Sequence, residues 1–223
     1  MTKKVQQTLQ DLKGIDFLLT RFNPETKTPD DLDILVNPHN FEKCIETLIS
    51  RNYRASSHDH ALGGRIAGMQ ANLVKPGRIK IDLHQDFTWR QKQYVDIKKI
   101  WENSKLNRVD LTWDAFLIMI NVIFEKTYFV QEDFEVFFSQ WEKIKNSPEY
   151  VQQTIQYGWN NTFVNFKSWM EGQQQKSKSL LFLPVRLVLS SYLEKFDFMS
   201  LGYYLFFRIR YVVNNSLPYE KKL

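Results

Sequence analysis

The stretch PDDLDILVNP, residues 29–38, limits what this chain can fold into more than any other. DLDILV alternates polar and apolar residues, the period of a half-buried strand. Alternation puts Asp31 and Asp33 on one face and Leu32, Ile34 and Val36 on the other. Two carboxylates on one strand face repel each other, and strands disfavour Asp in any case. Either the acids are a solvated turn feeding the strand, or a cation meets them there. Hard oxygen ligands suit a divalent ion such as Mg2+ (or Mn2+). Asp30 precedes the strand and reads as a turn residue.

The surroundings read as α+β. Residues 3–13 suit a helix, GIDFLLTRF (14–22) a strand and NPETKTPD (23–30) a loop. Asn37-Pro38 supplies a cap and a first-turn proline for a helix over 38–51, where Phe41, Cys44, Ile45, Leu48 and Ile49 recur at helical spacing. Residues 53–57 suit a short strand, and HDHALGGRIAG (58–68) a glycine-bearing loop. Residues 69–74 and 78–87 both alternate, and KPGR between them fits a type II turn, so 69–87 reads as a hairpin. In its second strand Ile79, Ile81 and Leu83 face one way and Lys80, Asp82 and His84 the other. If that strand neighbours 31–36, Asp82 joins Asp31 and Asp33. Three carboxylates on one sheet face are the minimum for a two-metal phosphoryl-transfer site.

The second half changes character: glycine becomes rare and aromatics crowd in. Thr112 is read as the cap of a helix carrying Phe116, Leu117, Ile120, Ile123 and Phe124. A further helix fits 132–145. Ser147-Pro148 opens another with Val151, Ile155, Trp159, Phe163 and Phe166. EGQQQKSKS (171–179) reads as a polar linker, and two more helices fit 181–196 and 200–214. The expected architecture is a small mixed-sheet α+β domain over 1–110 and an all-helical domain over 111–223.

A formal net charge of +5 mildly favours anionic partners. The single cysteine, Cys44, excludes an internal disulfide framework and points to core packing in a reducing cytoplasm. MTKKVQQTLQDLK shows no apolar leader, and Arg186, Glu194, Lys195, Asp197, Arg208 and Arg210 interrupt the apolar region 180–213, so no transmembrane span is expected.

Taken together, LKGIDFLLTRF, DDLDILVNP and RIKIDLHQDF resemble the DNA polymerase β-like nucleotidyltransferase superfamily, in its small uncharacterised members. The stretch from HDHALGGR through KPGRIKIDLHQDFTWR is similar to archaeal ones. The resemblance covers residues 13–87. It implies that Asp31 and Asp33 bind two Mg2+ (or Mn2+) ions and that Asp82 shares one of them. A nucleoside triphosphate would be gripped by one ion. The other would activate an acceptor hydroxyl on RNA, protein or a small molecule for attack on the α-phosphorus, with pyrophosphate leaving.

The superfamily usually places Gly-Ser or Gly-Gly shortly before the Asp pair, where backbone amides approach the triphosphate; this chain has Thr20-Arg21 there. Nucleotide-binding candidates are therefore Lys13 and Gly14, farther upstream, the side chains of Thr20 and Arg21, and Lys80 beside Asp82. The same departure keeps open a catalytically degenerate nucleotide- or RNA-binding or interaction module of this fold. A glycosyltransferase fits poorly, since only 30 residues precede Asp31. His58, Asp59, His60 and His84 could form a zinc ligand set, but a polar loop beside a phosphate site explains the same residues without a metal and is the preferred reading. GYYLFFRIRYVV reads as core with Arg208 and Arg210 at its edge, the alternative being an RNA-stacking or membrane-surface helix.

Overall fold

A computed structural model of the chain describes residues 2–21, 31–55, 70–89, 92–173, 180–198, 201–202 and 204–206. The predicted loops 23–30 and 58–68 lie outside the described residues, as do most of the linker 171–179 and residues 207–223. Asp30, His58, Asp59, His60, Gly63, Gly64, Arg65, Arg208 and Arg210 fall there.

Helix α1 (Lys3–Asp11) ends two residues before the predicted boundary. A turn with Gly14 at φ 86° then feeds β1 (Phe17–Thr20). Strand β2 (Asp31–Val36) returns antiparallel to β1. The Asn37 side chain accepts the His39 amide over a short 3-10 turn, Pro38–Asn40, which leads into α2 (Phe41–Ser50). Strands β3 (Arg54–Ala55), β4 (Gln70–Val74) and β5 (Lys80–His84) follow. Across the sheet the order is β1-β2-β5-β4-β3, with β2 and β5 parallel and the other pairs antiparallel.

The predicted hairpin is present, and its KPGR turn closes with the Arg78 amide donating to the Lys75 carbonyl at 3.1 Å. Gly77 takes φ 76°, as the third position of a type II turn requires. Asp11 anchors this end of the sheet by accepting from Lys75 Nζ (3.0 Å), Arg78 Nε (2.7 Å) and the Tyr53 hydroxyl (3.2 Å).

One sheet face carries Phe17, Leu19, Leu32, Ile34, Val36, Ile81 and Leu83, packed with Val5 and Leu12 of the α1 segment and Phe41, Cys44 and Leu48 of α2. Cys44 is thus a core residue, as its stripe position suggested. Leu18 and Leu35 face the other way and join a larger core built from the second half.

That half begins with a ribbon of β6 (Thr88–Trp89) and β7 (Lys92–Gln93), then α3 (Ile97–Glu102) and α4 (Leu111–Asn121). The cap of α4 is Asp110, not Thr112: the Asp110 carboxylate accepts both the Thr112 amide (2.9 Å) and the Thr112 hydroxyl, so Thr112 is the residue being capped. A π-helical turn, Val122–Lys126, and left-handed Thr127 (φ 58°) lead into β8 (Tyr128–Val130). Helix α5 spans Gln131–Ile144.

The single helix expected after Ser147 is two, α6 (Pro148–Gln156) and α7 (Asn160–Glu171). Gly158 at φ 66° ends α6, and the Trp159 amide closes back on the Thr154 carbonyl at 2.7 Å, a left-handed glycine stop. The predicted helix 181–196 also starts late. Residues Leu180–Phe182 form β9, paired antiparallel with β8, and Pro184 then opens α8 (Val185–Glu194). Proline disfavours helix in the residue before it, so the apolar LLFL run extends instead. Of the expected last helix, 201–202 and 204–206 are helical.

The second core is largely aromatic. Trp141 meets Tyr150 and Phe166 edge-on, at 5.7 and 5.5 Å between ring centres, and Trp159 meets Phe124 at 5.4 Å. Among the described residues no helix is long and apolar enough to cross a membrane.

No atom lies within 4 Å of where a Cβ on Gly77 would sit, so Gly77→Ala tests the backbone alone. It should cost about 1 kcal/mol in urea unfolding, through the left-handed φ that alanine resists. No measurable loss would show that the turn does not hold this conformation.

Candidate active site

Strand register brings the predicted acids together. Asp33 lies directly across from Asp82 and Asp31 from Lys80 in the parallel β2–β5 pair, and Thr20 lies across from Asp33 in β1–β2. Thr20, Asp31, Asp33, Lys80, Asp82 and His84 therefore share one sheet face, opposite the one packed on α1 and α2. Parallel pairing follows from the connection: α2 and the β3–β4 segment must carry the chain back before β5 begins.

The acids are held by cations of the chain. Lys80 Nζ lies 3.4 Å from Asp31 Oδ2 and 3.0 Å from Asp82 Oδ1. The Arg21 guanidinium donates to Asp33 Oδ1, and His84 Nε2 is 3.2 Å from the same oxygen. Thr20, fully buried, donates its hydroxyl to the Asp33 carbonyl at 3.4 Å. Lys80 meets Asp82 Oδ1 off the direction of a hydrogen bond, so among the described residues this buried oxygen accepts none.

Asp33 and Asp82 consequently differ. Burial alone would raise Asp33, but the Arg21 guanidinium and the His84 ring outweigh it and hold the carboxyl below its ordinary range. Asp82 goes the other way. Burial first, then the charges of Asp31 and Asp33, push it up to about 7 against the pull of Lys80. Lys80 in turn is raised, because Asp82 and Asp31 outweigh its own partial burial.

Two residues from the second half complete the face, and neither stood out in the sequence. Asp114 of α4 is buried and accepts the Arg21 backbone amide. Burial pushes its carboxyl up to about 7, with the charge of Asp33 adding to the shift and Arg21 opposing it. An acid in a helix's first turn reads as a dipole partner, which hid this role. Lys126, at the end of the π turn, adds its charge to those holding Asp33 down. In the sequence it reads as an ordinary helix-end cation, and π turns are not visible in sequence periodicity, though they recur at functional sites.

Arg21 stands where small residues were expected and adopts φ 53°, a conformation easy for glycine and strained for arginine. Its amide is turned to Asp114 and its side chain to Asp33. Lys13 and Gly14 sit elsewhere. They line an open cleft of about 580 Å3 with Leu9, Phe17, Leu19 and Arg108, and the sheet residues there, Phe17 and Leu19, face away from the acids.

Among the described residues no three carboxylates or imidazoles are gathered closely enough to hold an ion. The donor chemistry nevertheless fits a divalent ion. Asp31, Asp33 and Asp82 are hard oxygen donors on adjacent strands, and Asp82 Oδ1 is buried without a directed hydrogen bond. Lys80 and the Arg21 guanidinium lie against these carboxylates.

Residues 12–119 match a family described as uncharacterised nucleotidyltransferase. The match runs past the sheet into α4 and takes in Asp114. No curated protein and no solved structure matches the chain significantly.

Asp82 and Asp114 have an unfolded value of 3.8 and a folded value of about 7, so between those pH values the folded chain keeps protons that the unfolded chain has lost. Their contribution to stability is present at low pH and is lost as pH rises through about 7. In metal-free buffer the melting temperature should fall from pH 5 to pH 8. Asp114→Asn should flatten that slope, worth at most about 3 kcal/mol between pH 5 and pH 8 for this enclosed group. An unchanged slope in the variant would show that Asp114 does not titrate there.

Proposed function

We propose that the chain, whose residues 12–119 match this nucleotidyltransferase family, is a metal-dependent enzyme that moves a nucleoside monophosphate from a nucleoside triphosphate to a hydroxyl acceptor. The observation that carries the reading is the register of β2 and β5, which sets Asp33 beside Asp82 with Asp31 on the same face. These three carboxylates would hold Mg2+ (or Mn2+). A bound ion supplies charge neutralisation at the triphosphate and lowers the pKa of the acceptor hydroxyl.

The chain's own groups divide the remaining work. Lys80 and the Arg21 guanidinium, with Lys126 near them, supply positive charge for the phosphate oxygens and the leaving group. With Asp82 Oδ1 committed to the ion beside Asp31, the hydroxyl proton would pass to solvent, its pKa lowered by that ion. Thr20 and His84 fix Asp33 from either side. Asp114 fixes the Arg21 backbone. The acceptor belongs to one of three classes, RNA, protein or small molecule, and the buried thiol of Cys44 suits a cytoplasmic protein.

One observation favours a second reading, a nucleotide-binding module without turnover. The Arg21 amide, at the position where superfamily backbones approach phosphate, is occupied by Asp114.

A transfer assay with labelled nucleoside triphosphates against cell extract separates the two. Wild type should label an acceptor, and Asp31→Ala, Asp33→Ala and Asp82→Ala should each lose roughly 10²-fold or more of that labelling. Calorimetric binding of Mg2+-nucleotide without labelling would favour the module. Absence of both binding and labelling would remove the nucleotide reading altogether.

A further inference from the structure

Each acid of the site already has a cation of the chain against it. Lys80 bridges Asp31 and Asp82, at 3.4 and 3.0 Å, and Arg21 pairs with Asp33. A divalent ion between Asp31 and Asp82 would lie within a few ångströms of the Lys80 ammonium, where like charges repel strongly in a half-buried setting. No set of three ligands is gathered around such an ion among the described residues. The site as folded is therefore neutralised from within.

Resting on the nucleotidyltransferase reading above, we infer that Lys80 is an internal counter-ion which keeps the acids from loading a metal alone. It releases them when a polyphosphate offers its ammonium a new partner, so that metal and nucleotide bind as a coupled pair. The two cations are suited to different parts. The Lys80 side chain is 36% exposed and sits on a long flexible stem, whereas the Arg21 side chain is 19% exposed and its backbone is tied to Asp114. Lys80 is the one free to swing. Removing its ammonium from the acids uncovers Asp31 Oδ2 and Asp82 Oδ1 together, one from each strand. The exchange keeps the charge balance: an ion replaces an ammonium at the acids while the ammonium meets phosphate oxygens. Coupling of this kind is reciprocal, so metal and nucleotide tighten each other by the same factor.

The test measures metal affinity, not turnover. Mn2+ is titrated into metal-free protein and free ion is counted by electron paramagnetic resonance, with and without a non-hydrolysable nucleoside triphosphate analogue; analogue-only samples are subtracted. Wild type should bind Mn2+ weakly alone and roughly tenfold or more tighter with the analogue. Lys80→Met should bind Mn2+ alone about tenfold tighter than wild type and gain little from the analogue. Lys80→Arg should restore the wild-type pattern, and Lys99→Met, which alters an exposed pair with Glu102 on α3, should leave it unchanged. A lysine that merely braces the strands would instead weaken Mn2+ binding when removed, together with a lower melting temperature.

The wild-type titration decides even if a variant fails to fold. Wild type that binds Mn2+ as tightly alone as with the analogue overturns the coupling and leaves the nucleotidyltransferase reading standing. Equal Mn2+ affinity in folded Lys80→Met and wild type does the same. Wild type that binds neither Mn2+ nor the analogue overturns both.

Discussion

Parallel pairing of β2 with β5, in the register that opposes Asp33 and Asp82, concentrates negative charge on one sheet face. Asp31 lies two residues before Asp33, so three carboxylates meet on two strands. Left alone, that face would resist forming, since like charges in adjacent strand positions weaken pairing. The rest of the site can be understood as the response. Lys80, on the same face, spans Asp31 and Asp82, and Arg21 and His84 take Asp33. The offset is uneven: Asp33 stays ionised, while Asp82 is left with a carboxyl near 7. Unequal acids on one face are a common basis for dividing roles in a catalytic site.

What fixes this geometry is the opposite face. Leu32, Ile34, Val36, Ile81 and Leu83 are all but fully buried against α1 and α2. A slip of one residue in either strand would carry these side chains to the acid face and the acids into the core. The apolar set therefore enforces the register that the acids oppose. Leu18 and Leu35 do something different. They leave the acid face at its far end and enter the aromatic core of the second half, so that α4 and the π turn are packed beside the site rather than merely attached to it.

That packing bears on the residue that departs from the superfamily pattern. Where small residues would let a backbone amide face phosphate, Arg21 puts its amide on Asp114 and its guanidinium on Asp33. The left-handed φ of 53° is sustained by these two contacts at once. The family match runs into α4, so the matched segment includes the acid that holds Arg21. Phosphate recognition by side-chain charge in place of backbone amides is consistent with that arrangement.

By itself the sequence determined which residues share a face. Alternation in DLDILV and RIKIDLH, Pro and Gly in KPGR, and the helical stripe from Phe41 to Leu48 are local patterns. The local structure follows them, including the alignment of Asp31 with Asp33 and the hairpin that carries Asp82. The sequence went wrong where local alternatives were close in energy: whether Asp110 or Thr112 caps α4, whether Gly158 interrupts a helix, and whether LLFL continues as helix or pairs as β9 beside Tyr128–Val130. Tertiary structure alone decided three further things. It made β2 and β5 neighbours, it brought Asp114 and Lys126 over the acids from positions 93 and 105 residues beyond Arg21, and it placed Lys13 and Gly14 at a separate cleft. Those outcomes depend on long-range packing and on charges meeting across elements. No periodicity in a single stretch of chain encodes either.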